Sequence, residues 1–434
     1  MDDKICDLFL DKKINIDKLW EVNSPGVLPT LEKYLKLYQS EKDGSRKCLY
    51  MYKFNNAPID LKDIKTFIEF LHAIPTDLKG KNLLPLYINL EGAKFVDKLV
   101  YIIFETVILY LITNKKWLVS IEGNVKPENC SNGVRNCSLA KGNWPISEMD
   151  NADFDFNILD WNRIKIEKYK YNRVETDSIS HSRYFVNNIN GTNSVASDIY
   201  EFLEKSAVLQ ETDPITIGEI ANTILEIKDN CAEHTNSPYI YDIDIKKVVH
   251  GVQSNLGGRD YIAINVGIWD FSNAGLGDAI KEKINIIESP NSTKEQVSEQ
   301  MGKKTEVFQK LLEVRDIHKN FLNDDYTYDD FFALSAFQPG VTGRSLPGST
   351  GGAGLSHVLD FLIEYSDSYK CYCLTGNTII NLDRNFLCKD DNGWYTFNDT
   401  KECLFTNSKP SPACVSKSPL FYPGTAFFLH LELN

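Results

Sequence analysis

The chain has 434 residues, of which 42% are hydrophobic and 25% charged, a composition typical of a soluble protein with two or three domains and unlike that of a disordered chain. Its formal net charge of -13 excludes a broad basic surface for nucleic acid, although it is compatible with a local basic patch. The first residues, MDDKICDLFLDKK, are acidic and basic by turns and lack the apolar region of a secretory signal, which predicts a cytoplasmic protein with reduced cysteines. The most apolar stretch, Leu99 to Ile112, is shorter than the ~20 residues of a membrane-spanning helix and predicts a buried helix.

The first half of the chain alternates strand-like and helix-like patterns. In chain order we predict a strand, a helix, a buried strand, a long helix and a further strand, at residues 48–54, 61–74, 83–90, 95–112 and 117–122. The last three form a β-α-β unit, whose helix must cross over to make the two strands parallel. This order resembles that of STAS modules, which are partners of anti-sigma-factor kinases, and other α/β domains share it.

Residues 126–150 are rich in Asn, Gly, Ser and Pro, which predicts a surface loop or linker. We place a domain boundary near residue 190, with an α/β domain at 1–190 and a second domain at 191–434. A helix at 194–207 opens the second domain, and Thr212 with Pro214 is predicted to cap the next helix.

Residues Ile217 to Glu233 have helical patterning, and Glu226, Asn230 and His234 follow one another at four-residue intervals. Four residues rotate an α-helix by ~400°, so the three side chains share one face. A carboxylate, a carboxamide and an imidazole on one face can hold a water, a metal and a phosphate in a row. The same spacing also describes a solvated helix face.

Three glycine-containing stretches follow. The strand-like run YIAINVGIWD ends at Asp270 and leads into a loop with Gly275 and Gly277 and then a helix from Asp278. A long charged helix is predicted at 293–321. Beyond it, a turn and a glycine-rich loop precede a helix from Leu355; their notable residues are Thr342, Arg344, Gly348, Gly351, Gly352 and Gly354. Near the C-terminus Gly424 and Thr425 stand at the start of a predicted strand.

These motifs, in this order, resemble those of the GHKL ATPase superfamily, which includes DNA gyrase, mismatch-repair ATPases and sensor histidine kinases. EIKDNCAEH is similar to the N box, most closely in its anti-sigma-factor-kinase form, and Asp270 with Gly275 and Gly277 is similar to the G1 box. The stretch from Thr342 to Leu355 resembles the G2 box. The G1 loop departs from the family pattern Asp-x-Gly-x-Gly, because it is three residues longer.

The resemblance implies an α/β sandwich, with a mixed sheet and helices on one face, and an ATP lid inserted at about 285–350. It implies Mg²⁺ and ATP as ligands, Glu226 as the general base and Asn230 as the metal ligand. Asp270 is expected to accept the exocyclic amine of adenine, or else to cap the turn that follows its strand. Gly275, Gly277 and Thr425 complete the nucleotide site, and Thr342, Arg344, Gly351, Gly352 and Gly354 are expected beside the phosphates. His234 either contacts the lid or phosphate or caps its helix.

Three functions remain open at this point. The first is an ATP-driven conformational switch that acts on a protein partner or a second protomer, which the long insertion favours. The second is a serine/threonine kinase of the anti-sigma-factor type, which the Glu-Asn-His spacing favours. The third is a module that binds nucleotide or protein without hydrolysis, which the longer G1 loop allows. An autophosphorylating histidine kinase is disfavoured, because His181 lacks the acidic neighbour and downstream proline of that motif.

Overall fold

A computed structural model of the protein describes residues 16–26, 35–39, 46–54, 58–74, 85–90, 94–115, 117–122, 172–176, 179–186, 193–235, 237–248, 260–293, 295–296, 305–341, 354–365, 371–400 and 402–433. Its two larger sheets alternate with two layers of helices, and a third sheet has only two short strands, at Pro58–Ile59 and Lys94–Phe95. A small sheet is followed by a pair of helices, then by a large sheet, and then by a second helical layer. The fold is thus α/β, as predicted.

The described residues of the N-terminal part form short strands and three helices. Their bounds are α1 Asp17–Val22, β1 Leu35–Gln39, β2 Arg46–Lys53, β3 Pro58–Ile59, α2 Leu61–Ala73, β4 Pro85–Asn89, β5 Lys94–Phe95, α3 Lys98–Thr113 and β6 Leu118–Glu122. The small sheet has the order β1-β2-β4-β6, and β4 pairs parallel to β6 across the α3 crossover. The predicted β-α-β unit is therefore confirmed.

Helix α3 explains the most apolar stretch of the sequence. Asp97 caps it by accepting a hydrogen bond from the backbone N–H of Val100. The helix then packs against β6 on one side and against two strands of the large sheet on the other. A helix between two sheets is apolar all round, which is why no amphipathic stripe is visible in its sequence. Among the described residues no helix is long and apolar enough to cross a bilayer.

The C-terminal part contains the large sheet. Its elements are β7 Asn172–Thr176, β8 Ile179–Val186, α4 Asn193–Glu204, α5 Pro214–Thr235, β9 Tyr239–Val248, β10 Tyr261–Asp270, α6 Asp278–Glu288, α7 Thr305–His318, α8 Tyr328–Ser335, α9 Gly354–Tyr365, β11 Tyr372–Asn381 and β12 Val415–Leu433. Short 3₁₀ turns occupy Ala207–Leu209 and Lys319–Phe321. The strand order is β11-β12-β10-β9-β8-β7.

Two expectations about this sheet are wrong. Every described pair in it is antiparallel, whereas a mixed sheet was expected. Helices also cover both faces rather than one, because α2 and α3 pack on the face opposite to α5 and α9. Strand β10 is consequently buried on both sides, in agreement with its nearly continuous apolar sequence.

The sheet also begins earlier in the chain than the predicted domain start at residue 191. Strands β7 and β8, at 172–186, hydrogen-bond into it through β9. The mixed pattern of residues 151–193 concealed them, because each face of β8 combines polar and apolar residues. The cap of α5 differs as well, since Ile215 N–H donates to Asp213 Oδ1 at 3.3 Å rather than to Thr212.

The predicted lid helix is built into the core. In α7 the side chains of Phe308, Leu311 and Val314 are at most 2% exposed and belong to the same apolar cluster as α5 and α9. His318 at its end is fully buried, and its ring nitrogens bond to Tyr326 Oη at 2.8 Å and Phe405 O at 2.5 Å. Burial lowers the pKa of His318 to about 4. The described part of the insertion is therefore not a solvated lid.

Candidate functional site

Two of the three N-box residues meet the beginning of α9. A Cβ placed on Gly354 would overlap the carboxylate of Glu226 and lie 3.2 Å from Asn230 Nδ2. Gly354 thus lacks a side chain at the point where two polar groups of α5 approach the α9 backbone. The four-residue spacing correctly predicted that Glu226 and Asn230 share a face, and the structure places that face beside Gly354.

The carboxamide of Asn230 has a defined orientation. Its Nδ2 donates to the backbone carbonyl of Glu226 at 2.7 Å, which makes Oδ1 the atom directed away from the α5 backbone. Both side chains are partly exposed. Because the first N–H groups of a helix have no intrahelical partners, the N-terminus of α9 beside them favours negative charge. A carboxylate, a carboxamide and a helix N-terminus therefore converge here.

Asp270 is held at the end of β10 by backbone and side-chain donors. Its Oδ1 accepts from Ser272 N at 3.0 Å, from Ser272 Oγ at 2.7 Å and from Thr425 N at 3.2 Å. A Cβ on Gly424 would overlap this oxygen, so the glycine is required by the close approach of β12. Asp270 thus caps the turn after β10 through Ser272 N–H and is bonded to β12 through Thr425 N–H. Asp270 is only 1% exposed.

Thr375 is a site residue that the sequence did not reveal. Its Oγ1 accepts from Leu276 N–H at 2.8 Å and donates to Gly424 O at 3.0 Å, which links the G1 loop to β12. It is also 2.9 Å from the position of a Cβ on Gly275. The only local signal is the following Gly376, whose φ of 56° marks an irregularity in β11. A threonine in a strand carries no further indication of such a role.

Gly277 has a structural function in the same loop. It is the N-cap of α6 with a φ of 94°, and a Cβ there would lie 2.6 Å from Ala333 N and overlap the backbone of Phe332. The G1 loop is therefore packed against α8. The longer loop of this chain has a fixed path, because Gly275 N–H also bonds to Asp278 Oδ2 at 2.7 Å.

The two clusters lie on the same face of the large sheet. Asp270 is an even number of residues from Ile264, Val266 and Ile268 in β10, so its side chain lies on the same face of the sheet as theirs. Those three residues pack against the apolar residues of α5 and α9. At the end of α5 the chain reaches β9 within three residues, and the first residue of β9, Tyr239, pairs directly with Asp270. The N-box helix thus ends at the same end of the sheet at which Asp270 stands.

The structure describes the other predicted site residues only in part. Thr342, Arg344, Gly348, Gly351 and Gly352 lie outside the described residues, as does the linker predicted at 126–150. His234 is in the last turn of α5, and its side chain is not described. Gly424 and Thr425 were expected at the start of a strand but lie inside the 19-residue β12. The strand extends beyond them because its first part pairs with β11 across two register shifts.

A second polar cluster lies on the opposite face of the sheet. His181 Nε2 is 2.9 Å from Asp242 Oδ1 and 3.7 Å from Asp244 Oδ1, and all three residues are buried. These are metal-ligating residue types. However, the ammonium group of Lys98 from α3 forms ion pairs with both aspartates. The positive charge that a metal would bring is already supplied by the protein.

Comparison of the chain with protein-family models, with curated proteins and with solved structures found no match.

Proposed function

We propose that the protein binds ATP with Mg²⁺ on the face of the large sheet that carries α5 and α9 and hydrolyses it as a conformational switch. The observation that carries this proposal is the convergence of Glu226 and Asn230 on the N-terminus of α9 at Gly354. The order of elements around it, from the N-box helix through the G1 strand and loop to α9 and β12, agrees with the GHKL resemblance.

The residues at this site suit a phosphate-bound divalent cation. Mg²⁺ prefers oxygen ligands and retains several waters, so the single amide oxygen of Asn230 is a sufficient protein ligand. The ion would neutralise the phosphates, which the net charge of -13 otherwise opposes. Glu226 would orient and deprotonate a water, and the N–H groups of α9 would bind phosphate oxygens.

The base end of the proposed site is closed by protein contacts. Ser272, Thr425 and Gly424 surround Oδ1 of Asp270. These hydrogen bonds would fix the plane of the carboxylate, as a specific contact with the amine of adenine requires. The G1 loop would have to open before a base could enter. Binding of ATP in preference to GTP is the expected consequence, because adenine presents an amine at C6, whereas guanine presents there a carbonyl oxygen that a carboxylate repels.

We expect Asn230→Ala to weaken Mg²⁺-dependent ATP binding on the order of a hundredfold. Glu226→Gln should leave binding nearly unchanged and slow hydrolysis by about 10²- to 10⁴-fold, because the general base is lost. Calorimetry with ATP, ADP and GTP measures the first effect, and release of labelled γ-phosphate measures the second. Asn222→Ala is the control, since Asn222 is an exposed asparagine of α5 that bonds to Tyr200.

The outcomes separate the three functions. Release of free phosphate supports the switch, whereas transfer of label to a protein in a cell lysate would indicate the kinase. Binding without turnover would indicate the non-hydrolysing module. Heat from neither ATP nor ADP in the wild type would exclude a nucleotide site, and equal turnover in wild type and Glu226→Gln would remove Glu226 from the mechanism.

Gly354→Ala tests the site without removing any polar group. The new Cβ overlaps the end of the Glu226 side chain, which is flexible, so we expect the carboxylate to move and stability to change by less than about 1 kcal/mol. Hydrolysis should fall by about tenfold or more, since small displacements of a catalytic group are costly. Gly218→Ala, also a helical glycine but with nothing within 4 Å, should hydrolyse ATP like the wild type. Unchanged turnover in Gly354→Ala would place the reaction elsewhere.

A further inference from the structure

Helix α1 is attached to the N-terminal part through an aromatic residue. The ring of Trp20 lies 4.3 Å from the ring of His72 in α2 and 5.5 Å from that of Tyr110 in α3, measured between centroids. His72 Nε2 also bonds to Trp20 O at 2.8 Å. A change in the position of α2 or α3 would therefore be transmitted to α1.

The other side of α1 contacts the segments that hold Asp270. Asn23, directly after the helix, donates from Nδ2 to Phe421 O at 2.9 Å and accepts from Phe421 N at 2.9 Å. It is only 2% exposed. The residue after Phe421 is Tyr422, whose hydroxyl donates to the backbone carbonyl of Asp270. Lys18 of α1 donates to Asn273 O in the G1 loop at 3.1 Å.

The junction is open along one side. A cleft of about 550 Å³ lies between α1, the G1 loop and β12, and its walls include Lys18, Gly275 and Phe421. Few side chains would therefore obstruct a movement of α1 toward this cleft. The two partly buried hydrogen bonds between Asn23 and Phe421 give a directional link between α1 and β12.

We infer that Asn23 is a positioning residue through which the N-terminal part controls the G1 loop and, with it, the affinity for nucleotide. The second half of this statement depends on the proposed function, whereas the control of the loop does not. Because coupling between two sites is reciprocal, nucleotide binding would in turn change the stability of the contact between α1 and β12.

Hydrogen exchange of the full chain without nucleotide tests the first half. Asn23→Ala leaves Phe421 N–H without its partner, so we expect the amides of residues 271–277 and 421–425 to exchange about tenfold faster, with β9 unchanged. Glu21→Ala, at an exposed position of the same helix, should exchange like the wild type. Equal exchange of these two segments in Asn23→Ala and Glu21→Ala would overturn the inference. If Asn23→Ala does not fold, Asn23→Asp retains the acceptor for Phe421 N–H and is measured in its place.

Calorimetry with ATP and Mg²⁺ tests the second half. The dissociation constant should rise about fivefold to tenfold in Asn23→Ala and remain unchanged in Glu21→Ala. A merely structural role would lower the urea midpoint without changing the dissociation constant, and that result would overturn the control of affinity. If the wild type binds no nucleotide, the proposed function fails, and the exchange experiment still decides whether α1 controls the loop.

Discussion

Lys98→Met should lower the free energy of unfolding by about 3 to 5 kcal/mol, the usual cost of leaving a buried charge without its partner. Lys98 is fully buried, and its ammonium group pairs with Asp242 and Asp244, which are also fully buried. Burial alone would lower the pKa of Lys98, but the two carboxylates hold it above its usual value. Methionine has a similar volume, so the loss would report the charge rather than a cavity. Urea denaturation of the full chain measures it.

The control for this prediction is Lys62→Met, at an exposed position of α2, which should change stability by less than about 0.5 kcal/mol. If Lys98→Met is insoluble, the triple variant Lys98→Met, Asp242→Asn, Asp244→Asn should fold, because it removes both signs of charge together. Equal stability of Lys98→Met and Lys62→Met would show that the aspartates do not need the lysine. If the triple variant were no more stable than Lys98→Met, the loss of stability would be assigned to packing rather than to the unpaired charges.

This cluster shows where inference from sequence ends. In β9, YIYDIDIKKV, apolar and acidic residues alternate, so that one face of the strand is apolar and the other is acidic. An acidic face is normally a solvated one. Nothing in the local pattern indicates that α3, 144 residues earlier, covers it and supplies a lysine. The space for the lysine comes from Gly267 on β10, where a Cβ would lie 3.3 Å from Lys98 Cγ.

The elements themselves were more predictable than their packing. The pattern of YIAINVGIWD gave β10 its observed bounds, and the spacing of Glu226 and Asn230 correctly placed both on one helix face. Such features depend only on the local period of the chain. The charged sequence of α7 predicts a solvated lid helix, which is wrong. The core contacts of Phe308, Leu311 and Val314 depend on elements distant in the chain, so the local pattern does not indicate them.

Gly277→Ala should destabilise the protein by about 2 to 5 kcal/mol for two separable reasons. The first is the left-handed backbone, with a φ of 94°, which costs a residue with a Cβ about 1 to 2 kcal/mol. The second is overlap of the Cβ with the backbone of Phe332 and Ala333, which cannot rotate away as a side chain could. Forced displacement of packed backbone adds about 1 to 3 kcal/mol. Urea denaturation followed by circular dichroism measures the total.

Two other glycines separate these contributions. Gly393 has a φ of 81° and nothing within 4 Å of a Cβ, so Gly393→Ala should cost only the conformational part. Gly218 lies in α5, again with nothing within 4 Å, and Gly218→Ala should stabilise by about 0.5 to 1 kcal/mol. A loss in Gly277→Ala no larger than that in Gly393→Ala would mean that α8 yields to the new methyl group. The G1 loop would then be less firmly packed than its contacts indicate, and its opening to admit a base would cost correspondingly less.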